Sequence, residues 1–194
     1  MPSKAEQTEA TRRALLGAAR ALFAERGFAE TSTEAVVQKA GVTRGALYHH
    51  FRDKTDLFAA VFEDIERELV EQLAARATAT EDPVALIVTG VEVFLEACMD
   101  PAVRRVVMLE GPTVLGWERW HEIEESYGLG LTRTVLQMAV DAGALRPVPV
   151  DPMAHLLLGA LVEAAMLMST SEDAEAARAE LLETFRVLVD ALRT

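Results

Sequence analysis

The chain is predicted to be all-α: an N-terminal three-helix domain with a helix-turn-helix, followed by a larger all-helical C-terminal domain. Three observations predict this. Apolar residues recur at the helical period almost throughout, and no stretch alternates as a half-buried strand does. Gly, Pro and capping residues also punctuate the periodic runs at helix-length intervals.

The elements follow in order. Leu15, Ala18, Ala19, Leu22 and Phe23 form one apolar stripe, Gly27 supplies a stop, and Phe28 is placed to fold back over the stripe. This predicts a helix over 9–26, with the polar MPSKAEQTE before it expected to fray. In TSTEAVVQKAGV, Thr31 with Glu34 fits a capping box, and Ser32 or Thr33 fits the N-cap equally well. Val36, Val37 and Ala40 give a short apolar face that Gly41 ends. Thr43 then caps another short helix, in which Leu47 and Phe51 share a face. Two short helices joined by AGVT, with a supporting helix before them, make a helix-turn-helix.

Asp53 is the expected cap of a helix over 53–77, whose stripe runs Leu57, Phe58, Val61, Phe62, Ile65, Leu69, Leu73. At about 1.5 Å per residue it is long enough to link the two domains mechanically. TATEDP is the first clear break. Helices are then predicted over 83–99, 101–109, 117–142, 152–170 and 173–193, separated by Asp100-Pro101, Gly111-Pro112, Gly143 with Pro147 and Pro149, and Ser171. Residues 152–168 are apolar on nearly all sides and need cover on more than one face. Leu181, Leu182, Phe185, Leu188, Val189 and Leu192 form a broad stripe beside them. The last two helices are therefore expected to pair with a second copy as a four-helix bundle, making a homodimer.

Composition narrows the function. Cys98 is the only cysteine, which excludes an intrachain disulfide and a cysteine-rich zinc site; within FLEACM it is expected to be a buried small hydrophobe. The apolar run HLLLGALVEAAMLM is interrupted by Glu163 and is expected to be too short to span a bilayer. With no signal-peptide h-region, a cytoplasmic protein without a membrane partner is expected. The net charge of −12 is unevenly spread. Residues 1–56 carry nine Lys/Arg against seven Asp/Glu, a net +2, whereas residues 57–194 carry ten against twenty-four, a net −14. A basic head (1–56) on an acidic body (57–194) marks the head as a nucleic-acid-binding end.

The stretch TRGALYHHF fits that task. The second helix of a helix-turn-helix lies in the major groove, its N-terminal residues meeting bases while flanking groups grip phosphates. Thr43 and Arg44 stand at the helix start. Gly45 lets the backbone approach closely, Tyr48 and His49 face away from Leu47 and Phe51, and Lys54 is a further expected phosphate clamp. His49 and His50 are neighbours about 100° apart on a helix, so they diverge, and no metal site is expected. His50 is read as packing toward the Leu47/Phe51 face. No cofactor is expected. Nor is an enzyme: His121, Glu122 and Glu125 are acid/base candidates, but nucleophile–base pairing, phosphate loop and metal spacing are all missing.

The segment from Thr11 to Phe62 resembles the DNA-binding domain of the TetR family of transcriptional regulators. The resemblance rests on ALFAERGFAETS and VVQKAGVTRGALYHHFRDKTDLF, including the AGVT turn, Gly45, Tyr-x-His-Phe and Lys54 with Leu57-Phe58. Val37 departs from the family's common alanine. The resemblance covers about a quarter of the chain. It implies a homodimer that binds an inverted-repeat operator on double-stranded DNA, usually as a repressor, and that a small effector in the C-terminal domain releases. It carries DNA contact to Thr33, Thr43, Arg44, Gly45, Tyr48, His49 and Lys54, and it does not carry to the effector pocket. There the local candidates are Phe94, Met108, Trp117, Trp120, His121, Tyr127 and Met138, suited to an apolar or aromatic ligand with His121 or Tyr127 orienting it. Core packing with surface aromatics is the alternative, and His155 and Glu163 fit either a pocket or a dimer seam. A helical DNA-binding protein without an effector is the alternative for the whole chain.

Overall fold

Ser3 caps the first helix well before the apolar stripe begins. Its hydroxyl accepts from the Glu6 amide while the Glu6 carboxylate accepts from the Ser3 amide, a capping box that orders a segment expected to fray. The computed structural model describes residues 3–77 and 80–194. Met1, Pro2 and the first two residues of the TATEDP break, Thr78 and Ala79, lie outside the described residues. Among the described residues are ten α-helices and one π-helix: α1 Lys4–Glu30, α2 Thr33–Ala40, α3 Arg44–His50, α4 Lys54–Ala77, α5 Pro83–Ala97, the π-helix Val103–Glu110, α6 Gly111–Leu115, α7 Trp117–Ser126, α8 Gly128–Asp141, α9 Val150–Thr170 and α10 Ala174–Asp190. The one extended pairing among them is an isolated bridge between Leu145 and Arg193.

The chain packs as two compact units. One holds residues up to Ile65 together with Pro101–Trp120; the other holds Glu66–Asp100 and His121–Thr194. This division differs from a boundary after residue 56. α4 contributes to both units, and the π-helix, α6 and the start of α7 pack with the head.

In the first unit, α1, α2, α3 and α4 bury Leu15, Leu22, Phe23, Val36, Leu47, Leu57, Phe58 and Phe62. Phe23, Phe28 and Phe58 meet at 5.2–6.0 Å between centroids, two of the three contacts edge-to-face. Phe28 thus folds over the stripe as its sequence position suggests. It does so because α1 breaks direction at Gly27, whose φ of 81° is left-handed. A Cβ there would also fall 2.5 Å from Glu110 Oε1. Around this kink the π-helix holds α1: Arg105 donates to the Ala24 and Glu25 carbonyls, and Glu110 accepts from the Phe28 amide at 2.8 Å. Thr31 is not the N-cap of α2. Its hydroxyl is buried and bonded to the Gly27 and Leu22 carbonyls, and Ser32 caps α2 through the Ala35 amide.

The ammonium of Lys54 completes the end of α1. It reaches the carbonyls of Phe28 (2.7 Å), Ala29 (3.3 Å) and Thr31 (2.9 Å), and lies 4.2 Å from the Phe28 ring centroid. A cation on the orphan carbonyls of a helix end is favourable both as hydrogen-bond donor and against the helix dipole. Asp53 caps α4 through the Asp56 amide. Asp56 is itself partly buried, which would raise its pKa, but the bonds from Arg52 and Arg119 prevail and hold it at about 2. The Arg119 bond, at 2.9 Å, ties the start of α7 to the start of α4.

The second unit is built on α5, α8, α9 and α10. Val84, Ile87, Leu129, Leu136, Leu145, Ala154 and Val189 form one buried cluster, and Val91, Leu95, Leu161, Leu182 and Phe185 another. Cys98 is fully buried, as its apolar setting suggests. The segment 117–142, expected as one helix, is two, because Tyr127 leaves helical geometry (φ −129°, ψ −100°) just before Gly128. The break brings the Gly128 amide to the carboxyl of Glu66, which is 4% exposed on α4. Glu124 flanks the same point: a Cβ on Gly128 would lie 3.3 Å from Glu124 Oε2 and 3.4 Å from Glu66 Oε2. Burial, and then for Glu66 the neighbouring Glu124 charge, pushes both carboxyls above their ordinary value, against a smaller opposing effect of the Gly128 amide on Glu66.

α9 runs 21 residues and holds an 18-residue window of mean hydropathy 1.5, by length and composition enough to cross a membrane. The expectation that this run is too short is therefore corrected, because Val150–Thr170 extends HLLLGALVEAAMLM at both ends. Only 28% of its apolar window is buried in the single chain. Leu156, Val162 and Leu167 on α9, with Val187 and Leu188 on α10, are exposed.

Two outcomes follow from this packing. Lys54→Met, which keeps the stem and removes the donor, should lower stability by about 2 kcal/mol, the usual worth of a charged hydrogen-bonding group, read from the urea midpoint. The raised Glu66 and Glu124 carboxyls favour the folded state while protonated, so their contribution is full below the ordinary glutamate value of 4.5 and is lost as pH rises through the raised values. Glu66→Gln, neutral at every pH, should therefore gain roughly 1–3 kcal/mol on wild type between about pH 5 and about pH 8. Urea unfolding at both pH values measures it, and a constant difference would contradict the buried-carboxyl account.

Candidate nucleic-acid interface

α2 and α3 are too short to be stable alone, so their caps and one buried residue each decide where they sit. Ser32 opens α2 and Val36 anchors it, fully buried. Gly41, at φ 67° and ψ 30°, ends it by donating to the Val37 and Gln38 carbonyls. Thr43 opens α3, its hydroxyl accepting from the Ala46 amide at 3.2 Å, and Leu47 anchors that helix at 0% exposure. Phe51 closes it, buried, with the Arg12 guanidinium 5.8 Å from its ring centroid.

With Leu47 inward, the opposite face of α3 is open. Arg44, Gly45, Tyr48 and His49 are exposed, as is Thr43 at the cap, and Thr33 stands half-buried at the start of α2. The structure thus brings together six of the seven residues expected to meet DNA. The two histidine rings stay in edge-to-face contact at 5.3 Å, not diverging as expected, but they differ in exposure. His49 is exposed, while His50 is half-buried and burial, with the charges of His49 and Arg12, pushes its pKa below the ordinary value. Gly45 has 3.9 Å to the nearest atom from an added Cβ and has no left-handed φ, so nothing inside the chain requires glycine there. Lys54 is the residue placed apart. Its ammonium is engaged with three carbonyls at the end of α1, which corrects its reading as a phosphate clamp to that of an internal clamp.

One residue of this face was missed. Glu34, read from the sequence only as a possible capping-box partner, pairs with Arg44 at 3.3 Å across the mouth of the two helices. The Arg44 guanidinium also lies 5.5 Å from the Tyr48 ring centroid. A hydrogen bond with Thr33, and then one with Arg44, hold the Tyr48 phenol below its ordinary pKa. Thr33 bonds to Glu34 at 3.3 Å. No spacing rule connects residues 34 and 44; only the turn between the helices does.

The residues suggested for an effector pocket are divided between the two compact units. Trp117, Trp120 and Met108 fall in the first compact unit; Phe94, His121, Tyr127 and Met138 fall in the second. Trp117 is 68% exposed and meets Trp120 at 5.2 Å between ring centroids with the planes tilted by 45°, and Met138 is half exposed. Phe94 packs with the α5–α9–α10 core. His121 stacks on the exposed His155 at 5.9 Å and approaches Glu125, whose carboxylate is gripped by both terminal nitrogens of Arg133. The polar group that sequence reading overlooked is Glu66, hidden within the long stripe of α4. Among the described residues no group of three or more His, Cys, Asp or Glu side chains is placed to hold a metal ion.

Comparison with known proteins agrees with this geometry. Residues 15–61 match the model of the bacterial regulatory proteins of the tetR family, and residues 84–192 match a tetracyclin repressor-like C-terminal domain. The chain is similar to the transposon Tn10 TetC protein of Escherichia coli, at 25% identity over 79% of this chain and 78% of that protein. It is also similar to the crystal structure of a TetR-family transcriptional regulator from Pectobacterium atrosepticum, at 31% identity and a TM-score of 0.78 over 100% and 98% of the two chains. AibR, solved in complex with isovaleryl coenzyme A and operator DNA, shares the fold at 20% identity and a TM-score of 0.67, over 90% of this chain and 97% of that one. With an N-terminal helix-turn-helix and a C-terminal domain that both match, the chain belongs to the tetR family: it is a DNA-binding transcriptional regulator and not an enzyme.

Proposed function

We propose that this regulator is a homodimeric, cytoplasmic repressor that binds an inverted-repeat operator and leaves it when a small effector occupies its C-terminal domain. The carrying observation is the open face of α3, with Thr43, Arg44, Gly45, Tyr48 and His49 exposed around the buried anchor Leu47, and Thr33 at its edge. These six residues are the proposed DNA contacts. Gly45 supports the reading in particular: it costs α3 about 1 kcal/mol relative to alanine, and nothing in the free chain uses its smallness.

Dimerisation is supported by α9 and α10. Their Leu156, Val162, Leu167, Val187 and Leu188 are exposed, and α9 also exposes the small residues Gly159 and Ala160, which allow close helix approach. A second copy covers this face better than lipid does, because Asp151, His155 and Glu163 are exposed on the same helix. On this reading His155 and Glu163 lie at the seam. Two heads held about 34–36 Å apart enter successive major grooves. An effector that binds better to another separation lowers DNA affinity by its differential binding to the two states, with α4 as the continuous element that carries the change. AibR, bound to both a coenzyme A thioester and operator DNA, is a relative in fold with this combination.

The DNA reading is tested by fluorescence anisotropy with a duplex selected from a random pool by the protein itself and with a scrambled control. Arg44→Ala should weaken binding to the selected duplex at least about tenfold; equal binding would overturn it. Leu156→Glu should convert the dimer to a monomer at micromolar concentration in analytical ultracentrifugation while the helical circular dichroism is retained. A dimer that persists would place the interface elsewhere.

A further inference from the structure

The recognition face carries a negative charge where a phosphate-binding surface has no use for one. Glu34 is the second residue of α2 and Arg44 the first of α3, and the two side chains meet at 3.3 Å while remaining 61% and 67% exposed. Thr33 bonds to Glu34, and Tyr48 stacks beneath the guanidinium. Four side chains of the face therefore form one connected group whose net charge is zero. The Arg44 cation is cancelled by Glu34 before any DNA arrives.

This has opposite consequences for two kinds of DNA contact. A phosphate offers acceptors only. Arg44 can turn to it, but Glu34 is then left beside a second anion with no donor to meet it. The major-groove edge of a G·C pair offers the N7 and O6 acceptors of guanine beside the N4 amino donor of cytosine. That pattern matches the pair as it stands, guanidinium toward guanine and carboxylate toward the cytosine amino group. Since an exposed ion pair is weak, Arg44 is not locked away; its partner filters what it settles on.

We propose that Glu34 is a specificity-determining residue, which together with Arg44 selects a G·C pair in each half-site and penalises sequence-independent contact with the phosphate backbone. The proposal rests on the reading of α3 as the recognition helix.

The test uses the full-length protein and the same two duplexes, with anisotropy titrations at several salt concentrations. Glu34→Gln keeps the size and removes the charge. It should bind the scrambled duplex several-fold more tightly, lower the ratio of selected to scrambled affinity about tenfold, which lies within the usual discrimination of one base contact, and steepen the salt dependence by about one phosphate equivalent per half-site. Glu34→Asp, which keeps the charge, should retain the wild-type salt slope. A ratio for Glu34→Gln within about twofold of wild type, or an unchanged salt slope, overturns the proposal. Arg44→Ala separates the two levels. If it binds the selected duplex as tightly as wild type, the recognition-helix reading fails; if it weakens binding while Glu34→Gln leaves the ratio unchanged, only the role of Glu34 fails.

Discussion

The kink at Gly27 and the charges gathered around it are the constraint on which the DNA-binding head depends. A left-handed residue interrupts α1, and the carbonyls of Ala24, Glu25, Phe28, Ala29 and Thr31 are then taken up by two cations, Arg105 and Lys54, while Glu110 takes the Phe28 amide. The partners come from two places in the chain: the π-helix and the first turn of α4. The Phe23–Phe28–Phe58 cluster closes over the apolar side of the same kink. α2 and α3, each anchored by few buried side chains, take their positions from this frame.

The frame explains how a short helix can be a precise reader. α3 is seven residues long and holds itself by a threonine cap, Leu47 and Phe51. Arg44, Gly45, Tyr48 and His49 face outward, including a glycine that weakens the helix. Such a helix has little stability of its own, and its geometry is set by the turn at Gly41 and by the core beneath it. The second unit shows a related economy with Glu66 and Glu124. Two carboxyls share the space at the α7–α8 break, and burial keeps protons on them that surface glutamates release. α9, by contrast, leaves most of its apolar surface outside. Under the proposed dimer, a second copy covers that surface and makes assembly part of the stability of the folded state.

Most of the helical layout was legible because helices report themselves in local periodicity and in their caps. The stripe from Leu15 to Phe23, the stop at Gly41, the cap at Thr43 and the fully buried Leu47 all needed only residues a turn or two apart. The open face of α3 followed, since fixing Leu47 inward fixes Tyr48 and His49 outward. Charge counting located the basic head for a similar reason: it needs no knowledge of contacts. The departures share a cause. Ser3–Glu6 ordered a polar N-terminus, Tyr127 split a helix whose apolar period is unbroken, and a π-helix replaced an expected α-helix at Val103–Glu110. In each, a capping bond or a distant partner outweighed the local pattern.

The sequence by itself determined an all-helical chain with a basic, three-helix head, the place of its helix-turn-helix and the apolar faces of α9 and α10. These are consequences of side-chain type and spacing along one helix. The tertiary structure alone decided that Lys54 serves α1 and not a phosphate, that Glu34 meets Arg44, and that Glu66 is buried beside Glu124. It also decided that Trp117, Met138 and Phe94 lie in different surroundings. Those outcomes depend on which carbonyl or charge the fold carries to within hydrogen-bonding distance. For long, flexible charged side chains, the nearest partner in space is rarely the nearest in sequence.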